Sequence, residues 1–184
     1  KVPCSPGYYG NVPNESTRDA ACPNSCPSGR YGTEVAQIGP MESACPKLCV
    51  PGMHARANTN GQSTLNGACD TCAQGEFCPG NGAGIKDCPP GRYGSVPGTK
   101  NQSMGCPHEC PPGRWGNVSG GIKMVIACPN VCAPGRYGVT LGADSEALAC
   151  VPCDPGHWCK GGASRQGCVA GRYGNRSSQS SESS

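Results

Sequence analysis

The residues best suited to chemistry are the 17 cysteines, some of which lie close to the three histidines, His54, His108 and His157. "CDTC" at 69–72 and "CVPC" at 150–153 have the spacing of zinc ligands or of a redox-active pair. Such zinc sites need matched groups of four ligands, and redox pairs need a thioredoxin-like βαβ setting. Because the sequence signals neither, we interpret the cysteines as disulfides and expect no metal, no cofactor and no catalytic residue.

The composition supports a scaffold built on disulfides. Val, Ile, Leu and Phe together number 20 of 184 residues, whereas Gly and Pro number 29 and 19. A chain with so little to bury is stabilised by cross-links rather than by a large core. We therefore expect an oxidising location, secreted or at the cell surface, and a signal removed by processing or cut away with a longer chain.

The charge and hydropathy patterns exclude two classes of partner. The net charge of +3 is scattered, without a basic run, so nothing indicates nucleic-acid binding. The longest apolar stretch, "MVIAC" at 124–128, is far too short to span a bilayer. We expect no nucleic acid as a partner and no membrane span in this segment.

The cysteine spacing repeats twice along the chain. Successive gaps are 18, 4, 19, 4, 20, 3, 6 and 10 from Cys4 to Cys88, and 18, 4, 18, 4, 18, 3, 6 and 9 from Cys88 to Cys168. Such self-similarity indicates a repeat array. It predicts super-repeats over 4–87 and 88–167, with 168–184 starting a third copy that ends in a Ser-rich tail.

Each super-repeat divides into four units, and a ninth unit starts the third copy. Every unit begins with an opening cysteine, and a glycine follows three residues later, which predicts a tight turn with positive φ. The opening cysteines are Cys4, Cys26, Cys49, Cys72, Cys88, Cys110, Cys132, Cys153 and Cys168. The first glycines are Gly7, Gly29, Gly52, Gly75, Gly91, Gly113, Gly135, Gly156 and Gly171.

A ring follows the first glycine by two residues in every unit. Such a ring is expected to cover a neighbouring disulfide where no core exists, and we assign Tyr93 to the bridge of its own unit, Cys88–Cys106. The head aromatics are Tyr9, Tyr31, Tyr93, Trp115, Tyr137, Trp158 and Tyr173, with His54 and Phe77 in the remaining two units. A second glycine usually comes next, but Cys78 and Cys159 replace it in the fourth and eighth units.

The far end of the longer units is also regular. A small residue precedes the closing cysteine, as in "AAC" and "MGC", which indicates a close approach of backbone to disulfide. About ten mixed residues lie between, and they favour short strands or a hairpin, with a helix only as a remote alternative. The sequence predicts an elongated rod-like array of small disulfide-rich repeats with little regular secondary structure and no large hydrophobic core.

The most economical disulfide pattern closes each unit on itself, at about 3 kcal/mol per bridge for loops of this length. Connectivity does not follow from sequence alone, and Cys72–Cys88 or Cys78–Cys88 also fits the spacing. Cys168 is expected to pair outside the chain. The predicted pairs are Cys4–Cys22, Cys26–Cys45, Cys49–Cys69, Cys72–Cys78, Cys88–Cys106, Cys110–Cys128, Cys132–Cys150 and Cys153–Cys159.

Two stretches, "CDTCAQGEFCPGNGAGIKDCPPGRYG" at 69–94 and "CVPCDPGHWCKGGASRQGCVAGRYG" at 150–174, resemble known repeats. They are similar to the ephrin-receptor-like cysteine-rich repeats, relatives of the tumour-necrosis-factor-receptor modules. The resemblance covers most of residues 4–174. It implies a secreted or cell-surface protein built as a disulfide-laddered rod, and it implies no single function.

Surface features suggest modification and partners. An arginine precedes the ring at Arg30, Arg92, Arg114, Arg136 and Arg172, which predicts either a ladder for anionic glycans or stacking on the rings. Four Asn-x-Ser sequons indicate N-glycan sites on exposed loops. They are Asn14, Asn101, Asn117 and Asn175.

Near-equivalent units without a distinctive catalytic constellation point to a non-catalytic structural protein. We expect it to form or coat a filament or surface appendage, such as a flagellar hair or a cell-surface fibre, with further copies of itself or related repeat proteins as partners. The alternative is a receptor-type ectodomain that binds a ligand. The out-of-register loop at 50–68 favours that alternative.

Overall fold

The computed structural model describes residues 3–10, 15–35, 39–172 and 174–182. The chain divides into two compact bodies. The first comprises Lys1–Ala73, Phe77–Lys86 and Pro97–Asn101, and the second comprises Gln74–Glu76, Asp87–Val96 and Gln102–Ser184. The boundary predicted before Cys88 falls in the interleaved part, and every contact between units that is described below lies within one body.

Each of the first eight units contributes one pair of short strands, formed by the head after the first glycine and the residues before the next opening cysteine. Consecutive strands make eight two-stranded sheets in the described residues, antiparallel where the register is defined. The strands are β1 Tyr8–Tyr9, β2 Asn24–Ser25, β3 Arg30–Tyr31, β4 Lys47–Leu48, β5 Met53–Ala55, β6 Cys69–Thr71, β7 Glu76–Phe77, β8 Lys86–Asp87, β9 Arg92–Tyr93, β10 His108–Glu109, β11 Arg114–Trp115, β12 Asn130–Val131, β13 Arg136–Gly138, β14 Cys150–Pro152, β15 His157–Trp158 and β16 Gln166–Gly167.

The turn before the first strand follows from a Pro-x-Gly or x-Pro-Gly sequence in seven of the first eight units, and from Gly75 alone in the "CAQG" of the fourth. In the fifth unit the N–H of Arg92 donates to the carbonyl of Pro89 at 3.1 Å, and Gly91 between them has φ +79. A positive φ at this position of a turn is adopted easily only by glycine. The predicted tight turn is confirmed, and all nine first glycines have positive φ.

Eight disulfides close the first eight units, and they join the cysteines in the pairs predicted from the spacing. The fourth unit contains Cys72–Cys78 and the fifth Cys88–Cys106, so the alternatives with Cys88 are not adopted. The remaining bridges are Cys4–Cys22, Cys26–Cys45, Cys49–Cys69, Cys110–Cys128, Cys132–Cys150 and Cys153–Cys159. Cys168 is a half-buried free thiol.

A one-turn helix precedes the closing cysteine in each of the six longer units. The prediction that a helix is only a remote alternative there was wrong, because four residues are too few to leave a periodic pattern in the sequence. In the sixth unit the N–H of Cys128 donates to the carbonyl of Met124 at 2.7 Å, which holds the cysteine at the end of the turn. The helices are α1 Arg18–Ala21, α2 Met41–Ala44, α3 Leu65–Ala68, α4 Gln102–Gly105, α5 Met124–Ala127 and α6 Glu146–Ala149.

The small residue before the closing cysteine faces the second glycine of the same unit. A Cβ on Gly94 would overlap the carbonyl oxygen of Gly105, and one on Gly116 would overlap that of Ala127. Two backbones therefore meet at this point without side chains between them. The backbone does approach the disulfide as predicted from "MGC", since the carbonyl of Gly105 lies 3.5 Å from Sγ of Cys88, and the end of the helix also lies against the second glycine.

The interior consists of many small cores instead of one large core. Among the described residues, the buried hydrophobic side chains are all cysteine or alanine. Half-buried larger side chains lie over these clusters, as Trp115 does over Cys132, Ala149 and Cys150. The fold is a small disulfide-rich one made of hairpins, as the sequence predicted.

Candidate docking interface between units

Consecutive units are joined by a backbone hydrogen bond that recurs at seven junctions among the residues that the structure describes. A residue in the loop of one unit, which we call the docking residue, donates its N–H to the carbonyl of the preceding unit's opening cysteine, at 2.8 to 3.0 Å. The pairs are Gly61 with Cys26, Asn81 with Cys49, Gly98 with Cys72, Gly120 with Cys88, Gly142 with Cys110, Gly162 with Cys132 and Ser178 with Cys153.

All seven docking residues have positive φ. This explains why five of them are glycine, and why asparagine, which tolerates this conformation better than most residues, occurs at position 81 with φ +52. The docking position was not among the predicted features. The available signal is a glycine, asparagine or serine nine to twelve residues after the opening cysteine.

Two further backbone bonds strengthen the junction. At the fifth and sixth units, the N–H of Gly94 donates to the carbonyl of Gly121, and the N–H of Gly91 donates to the carbonyl of Gly116. Tyr93 and Gly121 form a parallel bridge at the same place. The loop of the sixth unit thus lies as an extra extended segment along the head of the fifth.

The first glycine also meets the unit two places further on. A Cβ on Gly91 would overlap the carbonyl oxygen of Gly142, the docking residue of the seventh unit. The N–H of the docking residue therefore contacts the unit immediately before it, and its carbonyl contacts the unit before that one. The same approach occurs at Gly7 with Gly61, Gly52 with Gly98, Gly75 with Gly120, Gly113 with Gly162 and Gly135 with Ser178.

Gly29 departs from this arrangement. The atom nearest to a Cβ built there is the Cβ of Ala55, at 2.6 Å. Ala55 stands where other units have the second glycine, and it corresponds to Gly138 in the seventh unit. In the second unit a methyl group therefore occupies the place where the docking carbonyl usually lies.

Four of the five head arginines stabilise their own unit. Arg30, Arg92, Arg114 and Arg136 each donate from a terminal guanidinium nitrogen to the carbonyl of their unit's closing cysteine, at 2.8 to 3.2 Å. Arg92 also pairs with Glu109. The sequence predicted a glycan ladder or ring stacking for these arginines; the bond to the closing cysteine was not predictable, because a carbonyl acceptor leaves no mark in the sequence.

The head rings pack towards the following unit. Tyr93 lies against Cys110, Ala127 and Cys128, and Tyr31 lies against the Cys49–Cys69 cluster. The assignment of Tyr93 to its own bridge, Cys88–Cys106, is therefore corrected. The strand pair of a unit carries its ring away from its own disulfide and over the next one.

Cations flank several of the other rings. Lys47 lies over Tyr31, Lys160 over Trp158 and Arg165 over Tyr137, with 5.2 to 5.8 Å between the charged group and the ring centroid. Tyr9 belongs to β1, and Tyr173 lies outside the described residues. The cation–π pairs use lysines and Arg165 instead of the head arginines predicted to stack.

Three of the four sequons are exposed. Asn101, Asn117 and Asn175 have exposed side chains, and Asn14 lies outside the described residues. Asn101 immediately precedes α4 and Asn117 follows the second glycine of the sixth unit. These positions are accessible to a covalent glycan.

The histidines lie in the strand pairs. His54 belongs to β5, His108 stacks on Tyr93 with ring centroids 5.1 Å apart, and His157 belongs to β15. Within residues 3–10, 15–35, 39–172 and 174–182, no three His, Cys, Asp or Glu side chains cluster as metal ligands would. Among the same residues, no helix has both the length and the apolar character needed to cross a membrane.

An ion pair holds the β5–β6 strand pair in the third unit. Arg56 donates through Nε and Nη2 to Oδ1 of Asp70, at 2.8 and 2.6 Å. These hydrogen bonds lower the pKa of Asp70 and raise that of Arg56. The Asp70 carboxylate therefore stays ionised, and the Arg56 guanidinium balances its charge. Asp70 lies opposite His54 in the strand pair.

No family model matches this chain, and no curated protein matches its sequence. The resemblance to ephrin-receptor-like repeats therefore depends on the cysteine spacing and the head motif. The internal repetition is the stronger guide, because the same residue type makes the same contact in units far apart along the chain.

Proposed function

We propose that the chain is a non-catalytic structural protein of the extracellular space that forms or coats a filament or surface appendage by self-association. A flagellar hair or a cell-surface fibre is the kind of assembly intended. The eight disulfides support a secreted or cell-surface location, since such bridges persist in oxidising compartments.

The observation that carries the proposal is a row of exposed apolar side chains at the same helix position in three successive units. Met104, Ile126 and Leu148 each lie two residues before a closing cysteine and are 50%, 48% and 59% exposed. They recur every 22 residues in the second body. Exposed apolar side chains that recur at one helix position are the surface that we propose another copy covers.

The contacts between consecutive units support the proposal that the chain is part of an extended repeat array. Their hydrogen bonds use the backbone of the opening cysteine, the glycines and the docking residue, so every unit offers the next one the same groups. An array of this kind extends without new side-chain contacts. Contacts between copies that do not close on themselves then produce a fibre.

Glycans at Asn14, Asn101, Asn117 and Asn175 are part of the same proposal, as covalent groups on an outer face. The further partners proposed are related repeat proteins and anionic glycans. Nucleic acid is not among them, because the charge of +3 is small and scattered.

Electron microscopy and sedimentation of the oxidised chain, with and without its glycans, test the proposal. We expect assemblies that grow with concentration, and we expect the triple variant Met104→Ser, Ile126→Ser, Leu148→Ser to remain monomeric. The matched control replaces three exposed valines of the same body that lie off the row, Val131, Val151 and Val169, by serine. A monomeric native chain, or a row variant that assembles as the native chain does, would overturn the proposal.

A receptor-type ectodomain remains the second candidate, because the first body has a cleft where the regular packing is interrupted. The cleft lies between the second, third and fourth units and includes part of the loop at 50–68. Monomers at all concentrations, together with a membrane span in the complete gene, would favour this candidate.

A further inference from the structure

The cleft of the first body lies where three units meet. Its walls are the turn Pro27–Arg30 of the second unit, strand β5 of the third and the loop 80–84 of the fourth, and its volume is about 320 Å³. This is near the lower end of the usual range for ligand pockets, roughly 300 to 1,000 Å³. An occupant would be the size of a monosaccharide.

Two sequence differences explain why the cleft is open. The methyl group of Ala55 lies against Gly29, whereas Gly138 at the equivalent position lets Gly113 approach the docking residue Gly162. The fourth unit also has one more residue between Cys78 and Cys88 than the eighth has between Cys159 and Cys168. A Cβ added at Gly82 or at Gly84 in that longer loop would have no neighbouring atom within 4 Å.

The lining is basic and polar. Arg30 is held by its Nη1 bond to the carbonyl of Cys45, at 3.1 Å, so its guanidinium is positioned before any ligand arrives. Nδ1 of His54 contacts the carbonyl of Ala55 at 2.9 Å, which orients the imidazole. Ser28 and Asn81 add a hydroxyl and an amide, and no Asp or Glu is among the described residues that line the cleft.

The carboxylate on the cross-strand partner of His54 does not cancel this character. Asp70 pairs across the strands with His54, but its Oδ1 accepts both hydrogen bonds from Arg56. Leu48 and Met53 supply the apolar part of the wall. A fixed guanidinium beside an imidazole, with small apolar patches, suits an anion carried on a compact molecule.

We propose that this cleft binds a small organic anion, a carboxylate or a sulfate on a molecule the size of a monosaccharide. The anionic group lies near Arg30 and His54, and the amide of Asn81 and the hydroxyl of Ser28 bind its polar substituents. This inference is independent of the proposed self-association, since the row of Met104, Ile126 and Leu148 belongs to the other body.

The test is an NMR titration of the oxidised, ¹⁵N-labelled chain with glucuronate, with glucose 6-sulfate and with glucose as the neutral probe. We expect amide shifts with at least one of the two anions, confined to residues 27–30, 53–55 and 80–84. The equivalent residues 111–114, 136–138 and 161–163 are the internal control and stay unchanged. Whether glucuronate or the sulfate binds more tightly assigns the anionic group.

The decisive variant is Asn81→Asp, which keeps a residue tolerant of positive φ and adds a negative charge to the lining. We expect about tenfold weaker binding, as a like charge within a few ångströms produces. Asn58→Asp is the matched control, because Asn58 also has positive φ and lies outside the lining. Equal binding by Asn81→Asp, equal shifts with glucose, or no shift with either anion would overturn the proposal.

Discussion

In their described residues, the second to fourth units and the sixth to eighth units share the same elements, and they differ at the contact made by Gly29 and by its equivalent Gly113. Both stretches have three strand pairs, three disulfides and docking bonds onto their opening cysteines. In the later stretch Gly113 lies close to Gly162 and the packing is closed. In the earlier stretch Ala55 separates Gly29 from the fourth unit, and a cleft results.

The backbone hydrogen bonds between units therefore tolerate local variation. Asn81 still docks on Cys49 although the contact at Gly29 is lost, and Gly52 still donates to the carbonyl of Cys78. Each junction has several independent bonds, so losing one contact opens a space without separating the units. A repeat array can gain a binding site in this way while keeping its framework.

Replacing Gly113 in the closed stretch is expected to lower the free energy of unfolding the most. Gly113→Ala places a methyl group against the backbone of Gly162, in addition to the unfavourable positive φ. Gly156→Ala is the matched control. The φ of Gly156 is +77, against +78 at Gly113, and a Cβ added at Gly156 would have no neighbouring atom within 4 Å. We expect a loss of about 1–2 kcal/mol for Gly156→Ala from φ alone, and about 1–3 kcal/mol more for Gly113→Ala from overpacking.

Denaturant unfolding with the disulfides intact measures both free energies. Equal losses for the two variants would show that the close approach of Gly113 to the eighth unit contributes nothing.

Exchanging the residues that distinguish the two stretches gives the next largest effect. Gly138→Ala is expected to destabilise by about 1–3 kcal/mol through overpacking, because its methyl would overlap the backbone of Gly113. Ala55→Gly is expected to change the unfolding free energy by about 1 kcal/mol or less, and to weaken anion binding by allowing the cleft to close.

Thermal unfolding and the glucuronate titration measure these two outcomes. If Ala55→Gly leaves binding unchanged, Ala55 is not what holds the cleft open.

The rings offer a smaller contrast. Trp115 covers the Cys132–Cys150 cluster of the closed stretch, and Tyr31 covers the Cys49–Cys69 cluster of the open one. Both are half-buried, so we expect Trp115→Ala to lose about 2 kcal/mol and Tyr31→Ala about 1 kcal/mol, in proportion to apolar area. Chemical unfolding measures both, and a larger loss at Tyr31 would reverse the predicted order.

The smallest expected effect is the pH dependence of the stability that the Arg56–Asp70 pair contributes to the open stretch. Hydrogen bonds from Arg56 lower the pKa of Asp70 in the folded chain. The pair therefore stabilises the fold above the unfolded pKa of about 4, and the contribution is lost as the pH falls through the lower folded value.

Asp70→Asn should be less stable than the native chain at pH 6, with the difference vanishing at strongly acidic pH. Val151, the equivalent residue on β14, provides the control Val151→Asn. A difference that persists unchanged at low pH would contradict the assignment of the stabilisation to this carboxylate.

Much of the fold was predictable because disulfide spacing and turn residues act locally. The turn at Gly91 and the hairpin-rich class follow from the head motif alone, and the structure contains the predicted Cys88–Cys106 bridge. The one-turn helices were not predictable, since four residues such as Gln102–Gly105 carry no period. The docking residues were missed because their partners lie one and two units away.

The unit, its turn and its strand pair could be inferred from the amino-acid sequence alone, because each depends on residues close together in the chain. Three features became visible only in the folded chain: which disulfide a ring covers, why first glycines such as Gly91 and Gly113 have no room for a side chain, and where the packing between units opens into a cleft. Those outcomes depend on contacts between units. For that reason the sequence did not show that Tyr93 lies on the bridge of the next unit, or that Ala55 takes the place of a docking carbonyl.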